Sequence, residues 1–193
     1  MRALLTRLPA LVVALLVVGP LAAQRGPDPR EAAAQADILA LADNLDDPDA
    51  AIVAQNIVLA HASEDISSVF AFKERGGVGI GALARAHPRN SIDRLLGDYV
   101  RKAPSRQELE TYQADLDRTA RVILAMSELA PHRNPYAGTP NRKQSQEWLR
   151  VSAEFKLRAT EFRAAVACKD PEQVRKAAGT LHNMCCDCHS LIP

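Results

Sequence analysis

The chain has 193 residues, 47% of them apolar and 24% charged, which fits one globular domain and argues against a disordered or collagen-like protein. Basic and acidic side chains nearly balance, at 24 and 23, so no broad basic face is expected and nucleic acid is a poor candidate for a partner. Aromatic residues make up only 4% of the chain, so its core must be filled by small aliphatic side chains or by a group that is not protein.

Residues 1–23 are typical of a secretory signal peptide. Two arginines precede an apolar run from Leu8 to Val18, Gly19-Pro20 interrupts it, and small residues follow up to a cleavage point before Gln24. The apolar run is well short of the ~20 residues that a membrane-spanning helix needs. We therefore expect a protein exported from the cytosol, attached to a membrane only if this segment stays on as an anchor.

Residues 24–30 are rich in Gly and Pro, which predicts a flexible leader before a single domain at residues 31–193. Within the domain, apolar residues recur at steps of three and four, the period of helices. Asp47-Pro48 is a helix-start signal and Pro131 is a stop signal. The helices predicted before this stop lie near residues 31–43, 48–61, 63–70, 91–102 and 106–130.

The glycine-rich segment 76–81 belongs to the one long irregular stretch, at residues 73–88. Gly79 to Ala84 satisfies the pattern G-x-G-x-x-A. However, the dinucleotide-binding fingerprint needs a strand before it and an acidic residue about twenty positions later, within a β-α-β unit. No such unit is visible, so we predict a solvated connector.

A helical hairpin is predicted at the carboxyl end of the chain. Its first arm carries an apolar stripe from Trp148 to Val166, and Asp170-Pro171 supplies the N-cap and first residue of the second arm. The apolar stripe of the second arm consists of Val174, Ala178, Leu181, Cys185 and Cys188. Two cysteines are therefore predicted to face the core from the last helix.

Cys185, Cys188 and His189 form the pattern C-x-x-C-H, which is typical of covalent c-type haem attachment. Two thiols one helical turn apart can add to the two vinyl groups of one porphyrin, and the adjacent imidazole can bind the iron as its proximal ligand. Export fits this chemistry, because haem of this type is attached outside the cytosol.

Other cysteine chemistries are weaker candidates. A structural zinc site needs four ligands, and only His182 lies near the three residues of the pattern. A thioredoxin-like dithiol usually follows a strand, and none is evident upstream. A disulfide between Cys168 and Cys186 would span roughly 22 Å of helix, beyond the ~7 Å limit between α-carbons. We therefore expect Cys168 to be a buried small residue and Cys186 to be a free thiol.

The carboxyl-terminal hairpin resembles the class II c-type cytochromes, the cytochrome c-prime family. The matching residues, in order, are Glu147-Trp148, Phe155, Phe162, Ala165, Asp170-Pro171, Val174 and Cys185-x-x-Cys188-His189. The resemblance covers about a quarter of the chain. It implies an all-α four-helix bundle with one covalent haem c, formed by helices near residues 48–72, 106–130, 146–168 and 171–190. The segments at 31–43 and 91–102 would be additions, and a homodimer could form through the first helices.

The sixth iron position stays open at this stage. In an up-down-up-down bundle the end of the fourth helix lies beside the end of the second, so Met126 and His132 are candidate distal ligands and Trp148 is expected to pack on the haem edge. The alternative is a vacant, apolar distal side near Ile52, Gln55 and Asn56.

The sequence favours a monohaem electron carrier of the bacterial periplasm, whose partners are other redox proteins. The main alternative is a five-coordinate haem that binds a diatomic gas such as nitric oxide. An enzyme is the weaker hypothesis, because no pair of polar distal groups for O–O cleavage can be placed from the sequence.

Overall fold

The computed structural model describes residues 28–80 and 90–192, and in these two segments the chain is all-α, as predicted. The predicted signal peptide lies outside the described residues. The helices are α1 (Pro29–Asp43), α2 (Ala50–Ala60), α3 (Ser63–Ser67), α4 (Ile92–Arg101), α5 (Arg106–Thr111), α6 (Gln113–Leu129), α7 (Arg142–Cys168) and α8 (Pro171–Ser190). None of them combines the length and the apolar character that crossing a membrane requires.

Helix α1 begins earlier than predicted. The Asp28 side chain accepts a hydrogen bond from the Arg30 backbone nitrogen, and the Glu31 side chain accepts one from the Asp28 backbone nitrogen. The two bonds form a capping box with Pro29 at the first helical position. The leader predicted for residues 24–30 is therefore wrong at its carboxyl end, because the Asp-Pro-x-Glu signal starts the helix at Pro29.

The helix predicted over residues 48–61 begins at Ala50. The Asp47 carboxylate accepts from the backbone nitrogen of Asp49 at 2.8 Å, so it closes a turn ahead of the helix, and Pro48 lies in that turn. At the other end His61 leaves helical geometry, and its Nε2 lies 2.7 Å from Asp37 Oδ2 on α1. This contact ties the end of α2 to α1.

The helix predicted over residues 106–130 is divided at Tyr112, which joins α5 to α6. Ser105 caps α5 by accepting a hydrogen bond from the Glu108 backbone at 3.0 Å. Leu129 ends α6, and Pro131 lies in the 3-10 turn that follows, at Ala130–Arg133. The predicted apolar stripe of α6, from Leu116 to Met126, is buried.

Helices α7 and α8 form the predicted hairpin. The Asp170 carboxylate accepts from the backbone nitrogens of Glu172 and Gln173, and Lys169 adopts a left-handed conformation with φ 55°. The chain thereby reverses within two residues. Two long helices consequently run antiparallel along each other.

The helices pack in a series around one core. Helix α7 lies between α6 and α8, α6 also packs against α1 and α2, and α8 also packs against α4. The 3-10 turn Ser68–Phe70 contacts both α1 and α4, so it links the two ends of the series. Helix α4, predicted as an addition to a bundle, is thus one of the main neighbours of α8.

The glycine-rich segment is packed against α1 over residues 76–80, so the prediction of a solvated connector is wrong there. Gln35 of α1 donates to the carbonyl of Gly76 at 2.8 Å, and Gly76 has φ 94°. A Cβ at Gly77 would lie 1.9 Å from the Ala71 oxygen. Backbone geometry therefore favours glycine at both positions.

Two glycine substitutions should change stability in opposite directions. Gly179→Ala should raise the free energy of unfolding by about 0.5–1 kcal/mol, because its Cβ would meet nothing within 4 Å in the middle of α8. Gly77→Ala should lower it by about 1–3 kcal/mol, because the Ala71 backbone would have to move. Urea unfolding of both variants checks this, and equal effects would contradict it.

Candidate functional site

The C-x-x-C-H residues occupy the last two turns of α8. Cys185 and Cys188 are half-buried and continue the stripe in which Val174 and Leu181 are fully buried. His189 is exposed in the final turn. The thiols therefore share one helix face at the edge of the core, while the imidazole next to them is free to bind a ligand.

The end of α8 lies beside the connection between α6 and α7. The Tyr136 hydroxyl donates to the carbonyl of Leu191 at 2.6 Å, two residues after His189. The same connection is anchored to α7 at its other end, where Trp148 Nε1 donates to the Ala130 carbonyl at 2.8 Å. These two bonds position residues 130–136 next to the cysteines.

Both thiols of the pair are protonated at neutral pH. Burial raises the pKa of Cys185 to about 12, and the neighbouring Cys188 and Asp93 add to that rise. Burial also raises the pKa of Cys188, against the opposing effect of the Arg133 guanidinium. The two thiols thus have different electrical surroundings, with a carboxylate beside Cys185 and a guanidinium beside Cys188.

A groove of about 270 Å³ runs between α4 and α8, one turn before Cys185. It is lined by Asp93, Arg94, Gly97, Val100, Arg101 and His182. His182 Nδ1 is buried without a hydrogen-bond partner among the described residues, and the space above Gly97 is open. Neither cysteine lines this groove, but its open space and the unpartnered His182 nitrogen lie one turn from Cys185, within reach of part of a planar group bound there.

The other residues predicted for the site have separate positions. Trp148 is only 5% exposed and packs at the start of the α6–α7 connection. Met126 is buried on α6 within the main core, and His132 is exposed in the turn after α6. The structure gives neither Met126 nor His132 a contact with the cysteines.

The residues named for a vacant distal side lie on the outer face of α2. Ile52, Gln55 and Asn56 are exposed, because the buried face of that helix is formed by Ala50, Ala54 and Ile57. The burial predicted for Cys168 is wrong. Cys168 is exposed at the last position of α7. All four cysteines are free thiols, which agrees with the expectation for Cys186.

Two of the residues near the cysteines are not singled out by the sequence, which indicates His182 only as a fourth zinc ligand. Arg133 approaches Cys188 from the turn after α6, Asp93 approaches Cys185 from the first turn of α4, and His182 lines the adjoining groove. Only His182 carried a local signal, since it lies three residues before Cys185 on the same helix face. The other two are brought in by helix packing.

No His, Cys, Asp or Glu side chains within residues 28–80 and 90–192 form a group of three or more that could hold a metal ion. Comparisons with protein-family models, with curated proteins and with solved structures find no significant match to this chain. What is known of the site therefore comes from its own residues.

The four thiols should differ in their rate of alkylation in the haem-free protein. With a pKa of about 12, only ~10⁻⁴ of Cys185 is thiolate at pH 8, and the thiolate is the reactive form. We expect Cys185 to react with iodoacetamide far more slowly than the exposed Cys168 and Cys186, and its rate to rise about tenfold per pH unit. Peptide mass spectrometry over time measures each rate, and a fast Cys185 would contradict the packing described.

Proposed function

We propose that this protein is a monohaem c-type cytochrome that carries one electron at a time in the bacterial periplasm. Cys185 and Cys188 would hold haem c through two thioether bonds, and His189 would be the proximal iron ligand. The haem supplies the one-electron redox chemistry when bound. The observation that carries the proposal is the C-x-x-C-H pattern at the end of α8, with both thiols free on one face and the imidazole exposed.

The chain's own residues would each have a defined task. The neutral thiols of Cys185 and Cys188 can add across the porphyrin vinyl groups, with sulfur bonding to one carbon and the thiol hydrogen going to the other. The groove beside Cys185 offers apolar and open surface at Val100 and Gly97 for part of the ring. Trp148 would hold the α6–α7 connection against the haem edge.

We also propose a bundle related to that of the cytochrome c-prime family. Its four positions would be taken by α2 with α3, by α5 with α6, by α7 and by α8. The contacts of α2 with α6, α6 with α7 and α7 with α8 support this order. Because α4 packs against α8, it would cover the edge between the fourth and first positions and form one wall of the haem site.

A second candidate is a five-coordinate haem that binds nitric oxide or another diatomic gas. The burial of Met126 within the core favours it, because a side chain packed among apolar neighbours would have to leave them to reach an iron beside α8. His132 is the remaining candidate ligand named from the sequence. The protein would then act as a gas-binding module, with no redox partner required.

Covalent haem should depend on two of the four cysteines. In a host with a c-type haem attachment system, we expect the protein to keep its haem through acid-acetone extraction. Cys185→Ala or Cys188→Ala should leave one thioether and shift the reduced haemochrome band to longer wavelength, and the double variant should lose covalent haem. Cys168→Ala and Cys186→Ala are matched controls, because both residues are exposed thiols outside the pattern. Extractable haem in the unaltered protein would refute the proposal.

The spin state of the covalent haem separates the two candidates. A low-spin reduced spectrum that becomes high-spin in Met126→Leu or His132→Ala identifies the sixth ligand and supports electron transfer. A high-spin spectrum that shifts on addition of nitric oxide supports the gas-binding module. The Met126→Leu substitution is close to volume-conserving, so its cost in stability should stay below ~1.5 kcal/mol.

A further inference from the structure

A small pocket lies between α1, the glycine-rich segment and α6. Its volume is about 150 Å³, and Gln35, Lys73, Gly79 and Arg118 are among the residues that line it. Pockets for drug-sized ligands measure roughly 300–1,000 Å³, so this one has room only for a small group. No described residue of α7 or α8 lines it, so it is separate from the proposed haem site.

Two basic side chains of this pocket have no acidic partner. Residues 1–27, residues 81–89 and Pro193 contain no Asp or Glu, so every side-chain carboxylate lies in the described part of the chain. Within residues 28–80 and 90–192 neither Lys73 nor Arg118 forms an ion pair, and the adjacent Asp117 pairs with Arg121 at 3.3 Å. The Arg118 side chain is half-buried, so it has lost part of its hydration without gaining an opposite charge. An anion from outside the chain would stabilise it.

Gln35 adds a hydrogen-bond acceptor to the pocket. Its Nε2 donates to Ser68 Oγ and to the Gly76 carbonyl, both at 2.8 Å, and these two acceptors fix the orientation of the amide. Its Oε1 has no donor among the described residues, although Gln35 is only 7% exposed. Gly79, with φ 72°, lines the pocket with backbone alone, and its nitrogen makes no hydrogen bond within the described segments. A pocket with two cations and an unpartnered acceptor suits an anion that also carries a hydroxyl group.

We propose that this pocket binds inorganic phosphate. Lys73 and Arg118 would balance its charge, and Gln35 Oε1 would accept a hydrogen bond from its hydroxyl group. Inorganic phosphate keeps a hydroxyl at neutral pH, whereas sulfate has none and a phosphate monoester loses most of its own above a pKa of about 6. The Gln35 acceptor therefore favours free phosphate over both. The proposal is independent of the haem.

The test measures phosphate binding to the purified full chain. Isothermal titration calorimetry with inorganic phosphate, at constant ionic strength in chloride, should show one site per chain. Lys73→Gln and Arg118→Gln should each weaken binding by about tenfold or more, because each removes a charge-assisted hydrogen bond. Sulfate and methyl phosphate should bind less tightly than inorganic phosphate, because neither offers Gln35 a hydroxyl at pH 8.

Two matched variants separate this pocket from a general attraction of anions to positive charge. Arg75→Gln removes an exposed charge from the same segment as Lys73, and Arg121→Gln removes one from the next turn of α6. Neither residue lines the pocket, so both variants should bind phosphate as the unaltered protein does. Equal weakening in all four variants would overturn the proposal.

Two results with the unaltered protein would also overturn it. One is the absence of binding at millimolar phosphate, and the other is sulfate that binds as tightly as phosphate. Far-UV circular dichroism checks that each variant is folded. If Arg118→Gln does not fold, Lys73→Gln decides the outcome, because the Lys73 side chain is exposed and its loss should leave the fold intact.

Discussion

The reversal of the chain at Lys169 and Asp170 is the constraint on which the rest of the site depends. Because Asp170 caps α8 and Lys169 turns the backbone, α7 and α8 must run antiparallel from one tight joint. At 1.5 Å per residue, Cys185 lies roughly 22 Å down α8, opposite the first half of α7. That register brings Asp187 into electrostatic contact with Arg150 and puts the end of α8 beside the α6–α7 connection.

The core is built from small aliphatic side chains, and this shapes the surroundings of the cysteines. Tyr99 and Phe162 are the only aromatic residues among the largest fully buried side chains of the described segments, and alanines fill many helix contacts. Small residues let the helix backbones come close together. A haem covering the two half-buried thiols would add apolar contact there. The loaded protein should then be more stable than the haem-free one, because the haem binds only the folded chain.

Much of this arrangement follows from local sequence signals. The apolar periods of α6, α7 and α8, the cap at Asp170 and the stop at Pro131 follow from residue preferences, and the structure confirms them. Which residues are buried in other segments depends on tertiary packing, which the local sequence does not show. Helix α2 buries Ala50, Ala54 and Ile57, although Ile52 and Val53 are more apolar than the two alanines, because α1 and α6 cover that face. The glycine segment looked solvated because a sequence does not show that Gln35 and Ala71 close over it.

The charged groups near the two cysteines could not be predicted from the sequence either, because tertiary packing brings them there. Asp93 and Arg133 are separated by forty positions, and no local pattern links either one to α8. Packing of α4 on one side and of the α6–α7 connection on the other places a negative charge beside Cys185 and a positive charge beside Cys188. The Arg133 guanidinium, whose pKa burial lowers, donates to the Ser63 carbonyl and the Ser67 hydroxyl of α3, so three separate segments of the chain meet at the end of α8.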